Sequence, residues 1–296
     1  MLATKVSAYM PAGKLISIGG NEDKYTEREP EFTPQNTGKF FELGILERVV
    51  RQSGGHDAHI EVIPTASSIP DEVGDNYLQA FSKIGCTNVH VMPIRDRSDV
   101  GKKKYLKRIR EAQAVMFSGG NQYRLTTTFG GTEMLDIMHE RYQQEPFVIA
   151  GTSAGAMAMS NTMIYQGSSS EALFKGAVKI TTGLGFIKDV IIDSHFVKRG
   201  RFGRLTQAVA SNPSAIGIGL GEDTGVLVTE GNRLQTIGTG LVLIFDGRKI
   251  RHNNVSDLPD GAPISIENMK VHVMAKGDTY LLSEHKFLAA SELVST

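Results

Sequence analysis

The feature that most constrains this 296-residue chain is the regular alternation of short apolar runs with helical patterns over its first half. The apolar runs begin near Lys14, His59, Asn88, Ala114 and Phe147, and amphipathic or basic helical patterns lie between them. Parallel strands that are covered on both faces show such continuous apolar runs, whereas half-exposed strands alternate apolar with polar residues. The sequence therefore predicts an α/β fold with a mostly parallel sheet flanked by helices.

The C-terminal part follows a different pattern. From about residue 215 the apolar runs are short and separated by turns, which is typical of antiparallel strands at the edge of a mixed sheet. No linker is rich enough in Pro, Gly or Ser to divide the chain. We therefore expect one domain over residues 1–296, with a catalytic core at about 14–230 and a β-rich part at about 231–296.

Composition and charge argue against several classes of function. Lys plus Arg and Asp plus Glu each number 32, so the basic excess of a dedicated nucleic-acid binder is absent. The single Cys86 provides neither an intramolecular disulfide nor a thiolate cluster for zinc. No metal ion or other cofactor is expected, because no spacing such as H-E-x-x-H occurs. Without a signal-peptide core or a run of 18 apolar residues, we expect a cytoplasmic protein that does not insert into membranes.

The strongest chemical signal is Gly151-Thr-Ser-Ala-Gly155, which fits the G-x-S-x-G motif directly after an apolar run. In the strand–turn–helix context of a nucleophile elbow, the sharp turn exposes the serine hydroxyl beyond the end of the strand. The free amides at the start of the following helix can stabilise an oxyanion. Ser153 is therefore the candidate nucleophile, and the Ala154 N–H group and the turn at Gly120 are the candidate oxyanion donors.

A serine nucleophile needs a base, and His195 is the best placed of the eight histidines because it ends a strongly apolar strand. Pattern alone does not identify the acid that orients this histidine. Asp193 shares the strand with His195 but lies two residues away, and Asp189, Asp223 and Glu171 are further possibilities.

Five sequence blocks resemble a known family when they are taken together and in order. They are Gly19-Gly-Asn-Glu-Asp-Lys24, Pro64-Thr-Ala-Ser-Ser68, Phe117-Ser-Gly-Gly-Asn-Gln122, Gly151-Thr-Ser-Ala-Gly155 and Asp193-Ser-His-Phe-Val-Lys-Arg-Gly-Arg-Phe-Gly-Arg-Leu205. Over about residues 14–229 the chain resembles the cyanophycinase family of serine peptidases, which is related to aspartyl dipeptidase E. The resemblance implies a flavodoxin-like, class I glutamine amidotransferase-like fold and a homodimer.

The resemblance also implies a substrate and a set of site residues. The substrate is cyanophycin, a polyaspartate whose side chains carry arginine in β-linked amides, and the product is the β-aspartyl-arginine dipeptide, released through an acyl-enzyme. Ser153 corresponds to the nucleophile, His195 to the base and Glu171 to the acid. The implied substrate-binding residues are Gln122, Asp193, Ser194, Arg199, Arg201 and Arg204. Ser194 is a departure, because cyanophycinases commonly have Gln before the catalytic histidine, and we expect it to affect the grip on the substrate.

The charges of these residues agree with such a substrate, in which each unit carries a carboxylate and a guanidinium group. Arginine forks bind carboxylates in a planar, bidentate way, so Arg199, Arg201 and Arg204 are expected to hold the aspartyl side. Asp193 or Glu22 is expected to accept the guanidinium group. A solvated start to a helix remains the alternative for any one of the arginines.

Three other functions stay open. An α/β-hydrolase-type esterase shares G-x-S-x-G, although its acid and histidine normally follow much later than the 42 positions between Ser153 and His195. A different β-aspartyl peptidase or dipeptidase would use the same residues on another substrate. A non-catalytic module that binds carboxylates would keep the fold without the chemistry.

Overall fold

The structure is a computed structural model that describes residues 10–20 and 44–293. Its first half alternates strands with helices, as the apolar runs predict. The elements are β1 Lys14–Ile18, α1 Ile45–Gln52, β2 Ile60–Ile63, α2 Pro70–Lys83, β3 Val89–Val91, α3 Arg97–Val100, α4 Lys103–Glu111, β4 Ala114–Phe117, α5 Gln122–Phe129, α6 Glu133–Gln144, β5 Val148–Thr152 and α7 Ala154–Met157. The helical pattern of the sequence over residues 38–52 corresponds to α1, and its part before Gly44 lies outside the described residues.

The second half is richer in strands. Its elements are β6 Thr162–Gln166, β7 Lys179–Thr182, β8 Val190–Asp193, α8 Phe202–Ser211, β9 Ile216–Leu220, β10 Thr224–Thr229, β11 Arg233–Gly238, β12 Val242–Asp246, β13 His252–Asn253, β14 Ile266–Glu267, β15 Lys270–Met274, β16 Thr279–Leu281, β17 Lys286–Leu288 and α9 Ala290–Leu293. Of the helices in residues 10–20 and 44–293, none combines the length and the apolar character that a membrane crossing requires.

The main sheet has nine strands in the order β17-β16-β11-β10-β1-β5-β4-β2-β3. Strands β1, β5, β4, β2 and β3 run parallel, and every pairing from β10 to β17 is antiparallel. The β1, β2, β4 and β5 strands are buried along almost their whole length, which explains why their sequences are continuously apolar. The predicted fold class, a parallel α/β sheet with added antiparallel strands, is confirmed.

A second sheet has four strands in the order β15-β12-β9-β8. Strand β9, which the turn-rich pattern predicts to be antiparallel, pairs in parallel with β8 and antiparallel with β12. Strands β6 and β7 form a separate two-stranded hairpin. The parallel β8–β9 pair places the chain after β8 and the chain after β9 at the same edge of this sheet.

Apolar residues cover both faces of the main sheet. On one face, helices α1 and α2 pack side chains such as Leu46, Val50, Tyr77 and Phe81 against the sheet. On the other face, a larger cluster joins the main sheet to helices α4, α5, α6 and α8 and to the second sheet. Because both faces are covered, the polar side chains that carry chemistry are left to the strand ends.

Helix α5 is an element that the hydrophobic pattern does not indicate. Its three consecutive threonines are weak helix formers, which hides the helix in the sequence. Two features compensate for this weak helix propensity, a side-chain cap at the N-terminus and the burial of apolar side chains. The Asn121 side chain accepts a hydrogen bond from the Tyr123 N–H group at 2.9 Å, and Leu125 and Phe129 are fully buried in the core.

Candidate active site

The end of strand β1 holds three distant segments of the chain through consecutive backbone carbonyl groups. The bonds are Ser153 N–H to Ile18 O at 2.9 Å, His195 N–H to Gly19 O at 2.7 Å and Asp223 N–H to Gly20 O at 3.1 Å. The segments arrive from the ends of β5, β8 and β9, which belong to the two different sheets. One edge of the fold therefore collects residues that are up to 205 positions apart in the sequence, from Ile18 to Asp223.

The side chains of Ser153, His195 and Glu222 form a continuous relay of hydrogen bonds. Ser153 Oγ lies 3.0 Å from His195 Nε2, and His195 Nδ1 lies 2.8 Å from Glu222 Oε1. Because an ionised carboxylate only accepts hydrogen bonds, Nδ1 carries the ring proton and Nε2 is left to accept the serine proton. This is the geometry of a serine nucleophile with an oriented base.

The acid of this relay differs from the one that the sequence suggests. Glu222, and not Glu171, contacts the Nδ1 atom of His195. Glu171 is exposed on the loop between β6 and β7, and within the described part of the chain its carboxylate makes no hydrogen bond or ion pair. The expectation for Glu171 is therefore corrected, because each ring nitrogen of His195 already has a different partner.

The sequence does carry a signal for Glu222, which lies in the ends of two apolar strands. Glu222 comes two residues after the apolar strand β9, just as His195 comes two residues after β8. Because these two strands are parallel neighbours, the residues that follow them meet at one edge. Asp223 makes a different contact: its carboxylate accepts a hydrogen bond from Thr239 Oγ at 2.9 Å.

The backbone of the site is strained. Ser153, His195 and Asp223 have φ values of 50°, 48° and 44°, in the left-handed region that non-glycine residues seldom adopt. Such a conformation costs on the order of 1–3 kcal/mol per residue and persists only when the surrounding structure holds it. At Gly20, φ is +104° and an added Cβ atom would lie 2.4 Å from the His195 ring. Glycine at that position is therefore required for the base to sit where it does.

The candidate oxyanion donors lie on either side of Ser153. Ala154 is the first residue of helix α7, where N–H groups have no partner within the helix. On the other side, an added Cβ atom at Gly119 would lie 3.4 Å from the Ser153 Cβ atom, which places the glycine turn next to the nucleophile. Gly120 has a φ of +139°, and an added Cβ atom would lie 2.1 Å from Ala66 O. Only glycine fits this turn.

Burial controls the protonation of the base. It lowers the pKa of His195 below the ordinary histidine value, and the hydrogen bond to Glu222 acts in the opposite direction. The positive charges of Arg199 and Arg201 lower the pKa further. His195 is therefore neutral at neutral pH, as a general base must be. In the described residues, no group of three or more His, Cys, Asp or Glu side chains is arranged to hold a metal ion.

A buried ion cluster holds the segment around His195. Asp193 is fully buried, and its carboxylate accepts hydrogen bonds from Arg204 Nε at 2.6 Å, Arg204 Nη2 at 2.5 Å and Arg201 Nη1 at 3.1 Å. It also accepts the Ser194 N–H group at 2.9 Å. The expectation that Asp193 binds a substrate guanidinium is therefore corrected, because protein donors already fill its acceptor sites and no solvent reaches it. The other expected acceptor, Glu22, lies outside the described residues.

The three arginines after His195 have different environments. Arg204 is almost fully buried, and the atoms not directed at Asp193 include Nη1, which donates to Gly167 O at 3.1 Å. Its guanidinium group is thus occupied. The prediction that Arg204 binds the substrate is corrected, because this side chain positions Asp193. Arg201 uses only Nη1 in its bonds to the described residues, and Arg199 is exposed. Arg201 and Arg199 therefore remain as candidate carboxylate ligands.

Ser194 adjoins the nucleophile, and Gln122 follows the glycine turn that lies beside it. Ser194 is fully buried, and its Oγ atom lies 3.5 Å from Ser153 Oγ and 3.4 Å from Arg201 Nη1. The Gln122 amide nitrogen donates to Ile164 O at 2.8 Å, which fixes the side chain and leaves its oxygen to accept a hydrogen bond. Ser194 therefore lies buried beneath the nucleophile, and its side chain does not extend into solvent.

Comparison with known proteins gives concordant results. Residues 35–237 match the model of peptidase family S51. The chain is 34% identical over 274 residues to a cyanophycinase of Synechococcus elongatus, covering 93% of this chain and 80% of the relative. It is 33% identical over 281 residues to a cyanophycinase of Geminocystis herdmanii, covering 95% and 97% of the two chains.

A solved structure shares the fold. The crystal structure of a peptidase from an acI-B1 Actinobacterium superposes with a TM-score of 0.63 at 20% identity, covering 92% of this chain and 98% of that one. This likeness supports the α/β architecture.

The identity of the acid can be tested with two matched variants. Glu222→Gln is expected to lower kcat by on the order of 10⁴. Without the carboxylate, the imidazolium ion loses its stabilising charge, and the neutral ring is no longer held in the correct tautomer. Glu171→Gln is expected to leave kcat unchanged, since the Glu171 side chain is exposed. The measurement is steady-state hydrolysis of a neutral activated ester. A severe loss in Glu171→Gln with normal activity in Glu222→Gln would contradict the geometry.

The pH dependence follows from the environment of His195. Activity is expected to rise as pH increases through its pKa, with the midpoint below about 6.5, because the base must be neutral and burial lowers the pKa. Arg199→Gln removes a positive charge that lowers this pKa, so the acidic limb should move to higher pH. The measurement is kcat/KM for a neutral ester against pH. If the midpoint of the acidic limb is the same in the variant, the charge of Arg199 does not act on His195.

The different roles of the arginines predict different stabilities. Arg204→Ala is expected to lower the free energy of unfolding by about 3–5 kcal/mol, because the buried Asp193 carboxylate loses one of its two positively charged partners. Arg199→Ala, an exposed change four residues after His195, is expected to alter it by less than about 0.5 kcal/mol. Urea denaturation followed by circular dichroism measures both values. Equal stability of the two variants would refute a structural role for Arg204.

Proposed function

The chain belongs to peptidase family S51, a family of serine peptidases, and we propose that it hydrolyses cyanophycin to β-aspartyl-arginine dipeptides. The observation that carries the proposal is the relay of Ser153, His195 and Glu222 beside two arginines: Arg199 is exposed, and Arg201 bonds to the described residues through Nη1 alone. Relatives at 33–34% identity that carry the name cyanophycinase support the choice of substrate.

The bond to be broken follows from the product. A β-aspartyl-arginine dipeptide keeps the amide between the aspartyl side chain and arginine, so the bond that is hydrolysed is the main-chain amide between successive aspartyl units. Ser153 Oγ attacks the carbonyl carbon of that amide, and His195 Nε2 takes the hydroxyl proton. The Glu222 carboxylate stabilises the imidazolium ion that forms. The Ala154 and Gly120 N–H groups stabilise the negative charge on the carbonyl oxygen.

Three further proton transfers complete the reaction. When the tetrahedral intermediate collapses, the C–N bond breaks and His195 gives its proton to the departing amine, leaving an ester on Ser153. Water then attacks the ester carbonyl, and His195 removes a proton from the water. The second collapse breaks the C–O bond to Ser153 and returns a proton to its oxygen. The chain's own residues supply every group that these steps require.

Recognition rests on charge. Each unit of the polymer has a free arginyl carboxylate, which suits the exposed Arg199 and the Nη2 and Nε edge of Arg201, which makes no hydrogen bond to residues 10–20 and 44–293. Arg201 is held in place by its bonds to Asp193 and to Ser194 O, the latter at 2.7 Å. A fork fixed before binding loses little rotamer freedom when the substrate arrives. The buried ion cluster thus prepares one of the two proposed ligands.

The other functions are less well supported. In an α/β-hydrolase the order along the chain is serine, acid, histidine, whereas here His195 precedes Glu222. An intact relay with a 3.0 Å serine–histidine contact is not needed by a module that only binds carboxylates. The second candidate is a β-aspartyl peptidase with a different substrate, and Ser194 favours it, because a small buried hydroxyl stands where the resembling enzymes commonly carry Gln.

The proposed activity is tested by incubating the protein with insoluble cyanophycin and identifying the soluble product by mass spectrometry. The expected product is the β-aspartyl-arginine dipeptide. Ser153→Ala is expected to lower the rate by on the order of 10⁴ to 10⁶ while the protein stays folded, because the relay loses its nucleophile. Hydrolysis of a neutral ester without any release from cyanophycin would support the second candidate and reject this one.

The recognition of carboxylate is tested separately. Arg199→Ala is expected to raise KM for cyanophycin roughly tenfold, which corresponds to about 1.4 kcal/mol and is within the range for a hydrogen bond to a charged group. The same variant should hydrolyse a neutral ester normally at a pH above the acidic limb that His195 sets, because that ester has no carboxylate for Arg199 to bind. Equal losses on both substrates would mean that Arg199 acts on the relay and not on the substrate.

A further inference from the structure

Two exposed tyrosines form a ring pair on the surface beside the candidate active site. Tyr123 lies in the first turn of helix α5 and is 47% exposed, and Tyr165 lies on strand β6 and is 36% exposed. Their ring centroids are 5.3 Å apart and the rings are tilted by 31°. By contrast, Tyr77, Tyr142 and Tyr280 are all buried in the core. We call the exposed pair the tyrosine platform.

The tyrosine platform is attached to the catalytic edge on the nucleophile's side. Gly119, whose added Cβ atom would contact the Ser153 Cβ atom at 3.4 Å, is only four residues before Tyr123. Four residues span at most about 14 Å, so the platform begins within that distance of the glycine turn. Gln122, between the turn and Tyr123, donates its amide N–H groups to Ile164 O at 2.8 Å and more weakly to Tyr165 O at 3.4 Å.

A second attachment lies on the arginine side of the site. Gly167, two residues beyond Tyr165, accepts a hydrogen bond from Arg204 Nη1 at 3.1 Å. Arg204 is buried and fixed by Asp193 through two bonds of 2.5 and 2.6 Å. The strand that carries Tyr165 is therefore tied at one point to Gln122 and at another to the ion cluster, and the two rings keep a defined position relative to Ser153.

The chemistry of the platform selects cations. The faces of aromatic rings carry negative electrostatic potential, so they attract cations and disfavour anions. A planar guanidinium group stacks on such a face better than an ammonium group does. The nearest charged neighbour in the sequence, Arg124, donates Nη1 to Ser67 O at 2.8 Å on a different loop, which engages that side chain away from strand β6.

We propose that the tyrosine platform binds the guanidinium group of a second arginyl unit of the polymer while the first unit is at Ser153. This inference rests on the proposed function, because only a polymer with one guanidinium group per unit presents a second cation at this range. Main-chain units advance by about 3.3–3.6 Å each and carry long side chains, so a neighbouring unit reaches about 14 Å from the scissile bond. The platform thus favours substrates that carry a second arginyl unit over those that carry only one.

Binding to a catalytically silent protein tests the platform without turnover. Each protein carries Ser153→Ala and is titrated by calorimetry with a soluble six-unit cyanophycin oligomer. Adding Tyr123→Ala and Tyr165→Ala is expected to weaken binding about 5- to 30-fold, the loss for two exposed cation–π contacts. Adding Tyr123→Phe and Tyr165→Phe keeps both rings and is expected to leave the affinity within about twofold, since the ring faces carry the interaction.

The controls separate the platform from general surface effects. Val273→Ala changes an apolar side chain that is 56% exposed on β15 and is expected to bind like the parent protein. Polyaspartate without arginine is expected to bind the Ala and Phe variants with equal affinity. In the active protein, the double Ala variant should lose kcat/KM on six-unit oligomers and keep it on a neutral ester, which carries no guanidinium group. Thermal unfolding of each variant verifies that the fold is retained.

The outcomes discriminate clearly. Equal affinity of the Ala variants and the parent protein overturns the inference, and so does a loss in the Phe variants as large as in the Ala variants. A change in sedimentation coefficient with no change in oligomer affinity would assign the platform to contact with a second copy of the chain and also overturn it. If the native protein hydrolyses no cyanophycin and Ser153→Ala binds none, the proposed function itself fails, which is distinct from a failure of the platform alone.

Discussion

The structure depends on the last carbonyl groups of strand β1 and the two glycines that follow it. Three successive carbonyls receive the N–H groups of Ser153, His195 and Asp223, so one short segment fixes the nucleophile, the base and the residue after Glu222. The three N–H donors belong to residues with positive φ, a strain that these bonds hold in place. An added Cβ atom at Gly20 would occupy the position of the imidazole ring, so the space for the base is created by the absence of a side chain.

A buried ion cluster provides the second constraint on His195. Asp193 precedes the catalytic loop, and its four hydrogen bonds fix both the Ser194 backbone and the two arginines that follow. Removing one partner from such a cluster is costly because a charge remains buried. One of these arginines, Arg201, also acts on the chemistry, because its positive charge and that of Arg199 help burial to keep His195 neutral. Stability, orientation and protonation of the base are thus coupled through one loop.

The architecture also separates the catalytic chemistry from the surfaces that surround it. The main sheet is covered on both faces by apolar side chains, so its strand ends offer the positions for polar groups. Helix α5 and strand β6 border this edge and are joined to each other through Gln122. Because Gly167, the residue that follows β6, is bonded to Arg204, the exposed surface beside the nucleophile and the buried cluster beneath it are parts of one connected framework.

The sequence by itself determined the parallel α/β class and singled out Ser153 and His195 as candidate site residues, because both inferences depend on local patterns: continuous apolar runs and a residue at the end of a strand. Helix α5 was hidden by its threonines and formed through capping and burial. The choice of Glu222 over Glu171, and the capture of Arg204 by Asp193, were decided only by tertiary structure. The physical reason is that a hydrogen bond needs atoms within about 3 Å, and strand order, which no local pattern states, decides which distant segments come that close.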